Sequence, residues 1–177
     1  TPLDETLLLR AKRFGLSDKR VARLTGRTEG EVKALRRSFG IVPSFHFVDT
    51  CAGEFRAATP YFYSTWGEQD EGEPVGGHPV AILASGPNRI GQGLEFDTCC
   101  TLASLAWRSE GRRTVIVNSN PETVSTDYNV SDRLYIEPLT PEHVKAVLEK
   151  EGIRDVVVQL GGQTPLNMAR ALTEGGA

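Results

Sequence analysis

Residues 80–118 read VAILASGPNRIGQGLEFDTCCTLASLAWRSEGRRTVIVN, and how this stretch folds decides the architecture. The apolar run at 80–84 has the length of a buried strand. A helix is expected from about Gly93 to Glu110, Gly111 ends it, and 113–118 forms the next strand. A strand, a crossover helix and a second strand of this kind build a parallel pair. The pattern continues downstream. A shorter strand is expected at RLYIEP, Thr140 and Pro141 open a helix with cap and first-turn chemistry, DVVVQL (155–160) is a strand, and Pro165 to Leu172 looks helical. Alternation of this sort predicts an α/β fold with a Rossmann-like parallel sheet over 79–177.

The turn at 85–100, SGPNRIGQGLEFDTCC, raises the question of phosphate binding. The dinucleotide fingerprint G-x-G-x-x-G does not fit glycines at 86, 91 and 93, and an NAD-binding module is disfavoured accordingly. Gly86 and Gly91 have P-loop spacing, but Gln92 stands where that motif needs lysine. Glu95 and Asp97 fall near the start of the helix, where a carboxylate is stabilised by the helix dipole and competes with any anionic ligand. A neutral or cationic species, or a passage for one, suits such a turn better than a triphosphate. Two more loops, NSNPETVSTD (118–127) and GGQTP (161–165), leave strands at the same sheet edge, where ligands of open parallel sheets gather. They add Asn120, Thr123, Gly162, Gln163 and Thr164 as candidate crevice residues.

Upstream, residues 1–40 read as helices. Leu7, Leu8 and Phe14 suggest one apolar face, Ser17 caps a helix carrying Val21 and Leu24, and Thr28 with Glu31 has capping-box spacing ahead of Val32 and Leu35. Ten basic side chains stand against three acidic ones between Arg10 and Arg37, which keeps open a DNA-binding helix-turn-helix joined to a ligand sensor. Residues 41–66 hold seven of the thirteen aromatics and are expected to lie extended over another surface. The Gly- and Pro-rich acidic stretch after them reads as a linker. The expected division is thus a small helical domain with its aromatic tail at 1–66, a linker at 67–78, and the α/β subdomain at 79–177.

The net charge of −3 is ordinary for a soluble chain, and no apolar run approaches the roughly 20 residues of a membrane span. Cys51, Cys99 and Cys100, with three scattered histidines, lack metal-ligand spacing and read as reduced thiols. Thr1 at the start, with Met168 the only methionine, and the stop at Gly175-Gly176-Ala177, where a next strand is expected, suggest an excised piece of something longer.

Taken in order, SGPNRIGQGLEFDTCC, NSNPETVSTD, SDRLYIEPLT and VVVQLGGQTPLN resemble the large subunit of carbamoyl phosphate synthetase, and VDTCAGEF (48–55) with YFYSTW (61–66) resembles its oligomerisation region. The resemblance implies a pre-ATP-grasp subdomain of the second synthetase half. It implies a cytoplasmic ligase that makes carbamoyl phosphate from bicarbonate, glutamine-derived ammonia and two ATP, for arginine and pyrimidine synthesis. ATP and magnesium or manganese serve the full enzyme, and none of these is expected to bind this segment. The implied partners are the remaining domains of the large chain, a glutaminase small subunit and further copies in a homo-oligomer, with no nucleic acid and no membrane. Carbamate travels through an internal tunnel in that family. The positions bordering it are matched here by Gly93 and Glu95, with Pro87, Asn88, Arg89 and Gln92 nearby. No catalytic residue is implied within the segment, which is expected to be inactive alone. Thr98, where the family usually has an aromatic, and Leu94, where isoleucine is common, are mild departures.

Overall fold

The computed structural model describes residues 3–55, 59–84 and 93–174. The chain forms two compact units, one from 1–46 and 64–71, the other from 47–63 and 72–177.

In the first unit, three short helices form where the capping residues place them. Asp4 accepts the Leu7 N–H at the start of α1 (Glu5–Arg13), and Ser17 accepts the Arg20 N–H at the start of α2 (Asp18–Thr25). Thr28 and Glu31 make the reciprocal box that opens α3 (Glu29–Ser38), with the Glu31 N–H 3.2 Å from the Thr28 hydroxyl and the Thr28 N–H 2.7 Å from the Glu31 carboxylate. Leu8, Val21, Ala22, Val32 and Ile41 form the core, with Leu35, Phe39 and Trp66 against it.

Three expected core members lie outside it: Leu7, which is 40% exposed, Phe14 and Leu24. Phe14 is 77% exposed because it falls at the C-cap, past the last turn of α1. Leu24 is 61% exposed because the inward stripe of α2 runs through Asp18, Val21 and Ala22. Asp18 takes a core position because it is paired. It accepts from Lys12 Nζ at 2.9 Å and from Arg36 Nη2 at 3.1 Å, while Arg36 Nη1 donates to the Ile41 carbonyl at 2.7 Å. The Trp66 ring completes the cage, its centroid 4.6 Å from the Lys12 nitrogen and 5.0 Å from the Arg36 guanidinium carbon. Two of the ten basic side chains thus face inward, so the surplus is not one continuous basic face.

The sheet has six strands in the order β1-β2-β5-β4-β3-β6. These are β1 (Ser44–Phe47), β2 (Tyr61–Thr65), β3 (Val80–Leu83), β4 (Thr114–Asn118), β5 (Arg133–Ile136) and β6 (Asp155–Val157). Every neighbouring pair from β2 to β6 is parallel. The helices α4 (Gly93–Ser109), α5 (Pro141–Glu151) and α6 (Gln163–Thr173) alternate with the strands, as the α/β reading requires. β3 and β4 are buried at every position, which is why 80–83 and 115–117 read as continuous apolar runs. β6, paired only to β3, keeps three residues of the expected six.

Part of the aromatic-rich stretch is extended within the sheet itself, as β1 and β2. Phe62 of β2 is fully buried, its ring 4.1 Å from that of Phe47 and 5.5 Å from that of Tyr135. Residues 72–75 of the expected linker are likewise held. A Cβ on Gly72 would meet the Phe62 ring at 2.8 Å, and the Val75 N–H donates to Glu151 at 2.7 Å. Arg133, its guanidinium 4.4 Å from the Phe62 centroid, donates to the Glu73 carbonyl and to the buried Glu151 carboxylate, which also accepts from the Tyr135 hydroxyl.

Candidate functional site at the carboxyl edge of the sheet

Parallel pairing puts the carboxyl ends of β3, β4 and β6 on one edge: Leu83 stands beside Val117, and Ile82 beside Val157. The loops quoted from the sequence all leave from this edge. Pro87, Asn88, Arg89 and Gln92 lie outside the described residues. Gly93 is the first residue of α4, and Glu95 stands exposed in its first turn.

Asp97 behaves otherwise than a first-turn carboxylate. It is the fifth residue of α4 and is 1% exposed. Its Oδ2 accepts the Ser125 backbone N–H at 2.6 Å, and its Oδ1 accepts the Ser125 hydroxyl and, at 3.4 Å, the side-chain amide of Asn118. Buried carboxylates are tolerated when hydrogen bonds replace their lost hydration, and three donors do so here.

Asn118, fully buried at the last position of β4, is the hub of this cluster. Its Nδ2 also faces the hydroxyls of Ser125 at 3.1 Å and Thr123 at 3.3 Å, and its Oδ1 accepts the Asn120 N–H at 2.9 Å. Asn120 then accepts the Glu122 N–H at 3.0 Å. The Thr123 N–H donates to the Thr126 hydroxyl at 3.2 Å, and that hydroxyl donates to the Thr123 and Pro121 carbonyls. The loop 118–126 is thereby wound on its own polar side chains and fastened to α4.

The third loop approaches through glycine. A Cβ on Gly161 would lie 2.3 Å from the Ala84 carbonyl oxygen. Gly162 has φ of 85°, which side chains rarely adopt, and a Cβ there would touch the Phe96 ring at 3.4 Å. Gln163 uses its amide on Asn167, at 2.6 Å, and Thr164 is half-buried in the first turn of α6.

Of the candidates, Thr123 is thus joined to the α4 cluster, a side chain at Gly162 would meet Phe96 of α4, and Asn120 and Gln163 serve their own segments. Sequence reasoning misses Asn118, Ser125, Phe96 and Gly161 as site residues. Only the spacing of short polar residues in NSNPETVS points toward the first two.

Cys100 is buried on the inner side of α4, and burial, aided by Asp97 and Cys99, pushes its thiol up to about 12. It is unsuited to act as a nucleophile. Among the described residues no group of three His, Cys, Asp or Glu side chains is placed to hold a metal, and no described helix is long and apolar enough to cross a membrane.

Comparison with known proteins adds parentage to this geometry. Residues 77–177 match the carbamoyl phosphate synthase preATP-grasp domain, and residues 1–40 match the oligomerisation domain of the carbamoyl-phosphate synthetase large chain. The helical segment thus matches an oligomerisation domain, and the DNA-binding alternative gains no support. Among curated relatives, the carbamoyl phosphate synthase large chain of Methanothermobacter thermautotrophicus is 53% identical over 173 residues, which is 98% of this chain and 16% of that protein. The large chain of Vibrio cholerae is 51% identical over 174 residues, again 98% and 16%, and that of Gemmatimonas aurantiaca is 49% identical over 176 residues, 99% and 16%. The chain therefore spans about 16% of the length of these relatives. It belongs to the carbamoyl phosphate synthase preATP-grasp domain family, with a segment of the large-chain oligomerisation domain ahead of it.

Proposed function

We propose that this chain is a structural and channelling segment of a glutamine-dependent carbamoyl phosphate synthase, a cytoplasmic ligase. In this reading the whole large chain, with a glutaminase partner, makes carbamoyl phosphate from bicarbonate, ammonia and two ATP for arginine and pyrimidine synthesis. ATP and magnesium or manganese act in the neighbouring ATP-grasp domain, which the segment supports. The helical unit contributes to self-association. Gly93 and Glu95 border the passage for carbamate, with Pro87, Asn88, Arg89 and Gln92 beside them.

The observation that carries this reading is the succession of two large-chain families along one chain. The chemistry at the start of α4 supports the channelling role. An exposed carboxylate in the first turn and a buried one two residues on disfavour an anionic phosphate at that end. A small residue at 93 leaves room, and Glu95 supplies a polar wall.

Titration calorimetry of the 177-residue chain with ATP and magnesium tests the non-catalytic half of the proposal. No saturable binding and no metal-dependent ATP hydrolysis are expected. Either one would refute it.

A further inference from the structure

Asp97, the fifth residue of α4, turns its carboxylate away from the helix's own backbone and onto the loop that follows β4. Among the described residues, the hydrogen bonds to its carboxylate come from the loop 118–126, the strand end that begins it included. No cation is among those partners: the charge is held by one backbone N–H, one hydroxyl and one amide. Such an arrangement is directional. It fixes the position of Ser125 relative to α4 far more tightly than apolar contact would.

The same helix carries Gly93 four residues and Glu95 two residues earlier, so anything that loosens its link to the loop alters the edge where the passage is proposed. We infer that Asp97 is a positioning residue: with Asn118 it latches the loop after β4 to the first turns of α4 and so holds the wall carrying Gly93 and Glu95 in place. The functional half of this inference rests on the passage reading above.

The pairing pattern allows a sharp test. In Asp97→Asn, the new amide and that of Asn118 meet donor to donor, or Asn118 turns over and abandons the Asn120 N–H. In Asn118→Asp, two carboxylates face each other at the former 3.4 Å contact. Exchanging both residues restores a complete set of pairs. The amide now at position 97 accepts the Ser125 N–H with its oxygen and donates its N–H to the carboxylate now at position 118. That carboxylate keeps the Asn120 N–H and takes the hydroxyls of Ser125 and Thr123.

The experiment uses the full-length large chain carrying this segment. Hydrogen exchange of the Ser125 amide reports the latch, and ATP consumed per carbamoyl phosphate formed reports the passage. Each single variant is expected to speed exchange at Ser125 by roughly tenfold or more, the loss of a hydrogen bond to a buried charge. Each is also expected to raise the ATP ratio while both partial ATP reactions persist. The exchanged pair returns both quantities toward the parent values.

Unchanged exchange in Asp97→Asn overturns the latch, and so does a double variant no better than the singles. A normal ATP ratio in a loosened variant, with Gly93→Phe uncoupled in parallel, overturns the link to the passage. If Gly93→Phe itself leaves the ratio normal, the passage reading falls and exchange alone decides the latch. Should Asp97→Asn not fold, Ser125→Ala, which deletes only the hydroxyl, carries the same two readouts.

Discussion

The backbone of Gly161 runs so close to that of Ala84 that a Cβ at 161 would stand 2.3 Å from the Ala84 carbonyl oxygen. The contact joins the segment leaving β6 to the end of β3, backbone against backbone, with no flexible side chain able to yield. Gly161→Ala is therefore expected to cost about 3 kcal/mol through overpacking. Gly152, at φ of 65° with nothing within 4 Å, gives the comparison. Alanine there is expected to cost only about 1 kcal/mol, from backbone strain alone. Urea unfolding of the two variants checks the order.

The Lys12–Asp18–Arg36 cluster predicts an asymmetry. Asp18→Ala leaves two buried cations without their anion and is expected to cost about 3–5 kcal/mol. Lys12→Met keeps the Asp18–Arg36 pair and the stem packing against Trp66, and is expected to cost less. Trp66, in contact with both cations, provides a fluorescence signal for the unfolding curves.

Cys100 sets an alkaline limit. Its thiol is raised from the ordinary 9.0 to about 12 by burial, and burial together with Glu151 raises the Tyr135 hydroxyl too. Above pH 9 the unfolded thiol loses its proton while the folded one keeps it, so the folded state binds more protons and stability falls as pH rises. Between pH 9 and about 12 the contribution of Cys100 falls at up to about 1.4 kcal/mol per pH unit. Cys100→Ala is expected to flatten this slope in urea titrations from about pH 8 to about pH 10.5. At about pH 8 a thiol reagent is expected to modify exposed Cys99 well before Cys100.

Much of the fold is legible in the sequence because the signals are local. Ser17, Thr28, Glu31, Thr140 and Pro141 sit where caps and first turns require them, and the helices start there. The runs at 80–83 and 115–117 are apolar because parallel strands are covered on both faces. What the sequence hides is non-local. Phe62 reads as an aromatic laid on a surface that the sequence does not identify, until β2 is seen beside β5 with Tyr135 against its ring. Val75 reads as linker until Glu151, 76 residues away, accepts its N–H. At the candidate site, Glu95 is visible as a first-turn carboxylate. Asp97 looks equivalent two positions on, and only its orientation toward Ser125 separates a dipole partner from a buried latch.

The central claim is that the edge at the start of α4 walls a passage and does not grip a nucleotide. Its most direct test is the ATP consumed per carbamoyl phosphate made by the full large chain bearing Gly93→Phe, measured with both partial ATP reactions. A blocked passage predicts that the partial reactions continue while overall synthesis collapses and the ratio climbs steeply. A parent-like ratio, or loss of the partial reaction that phosphorylates carbamate, would contradict the account.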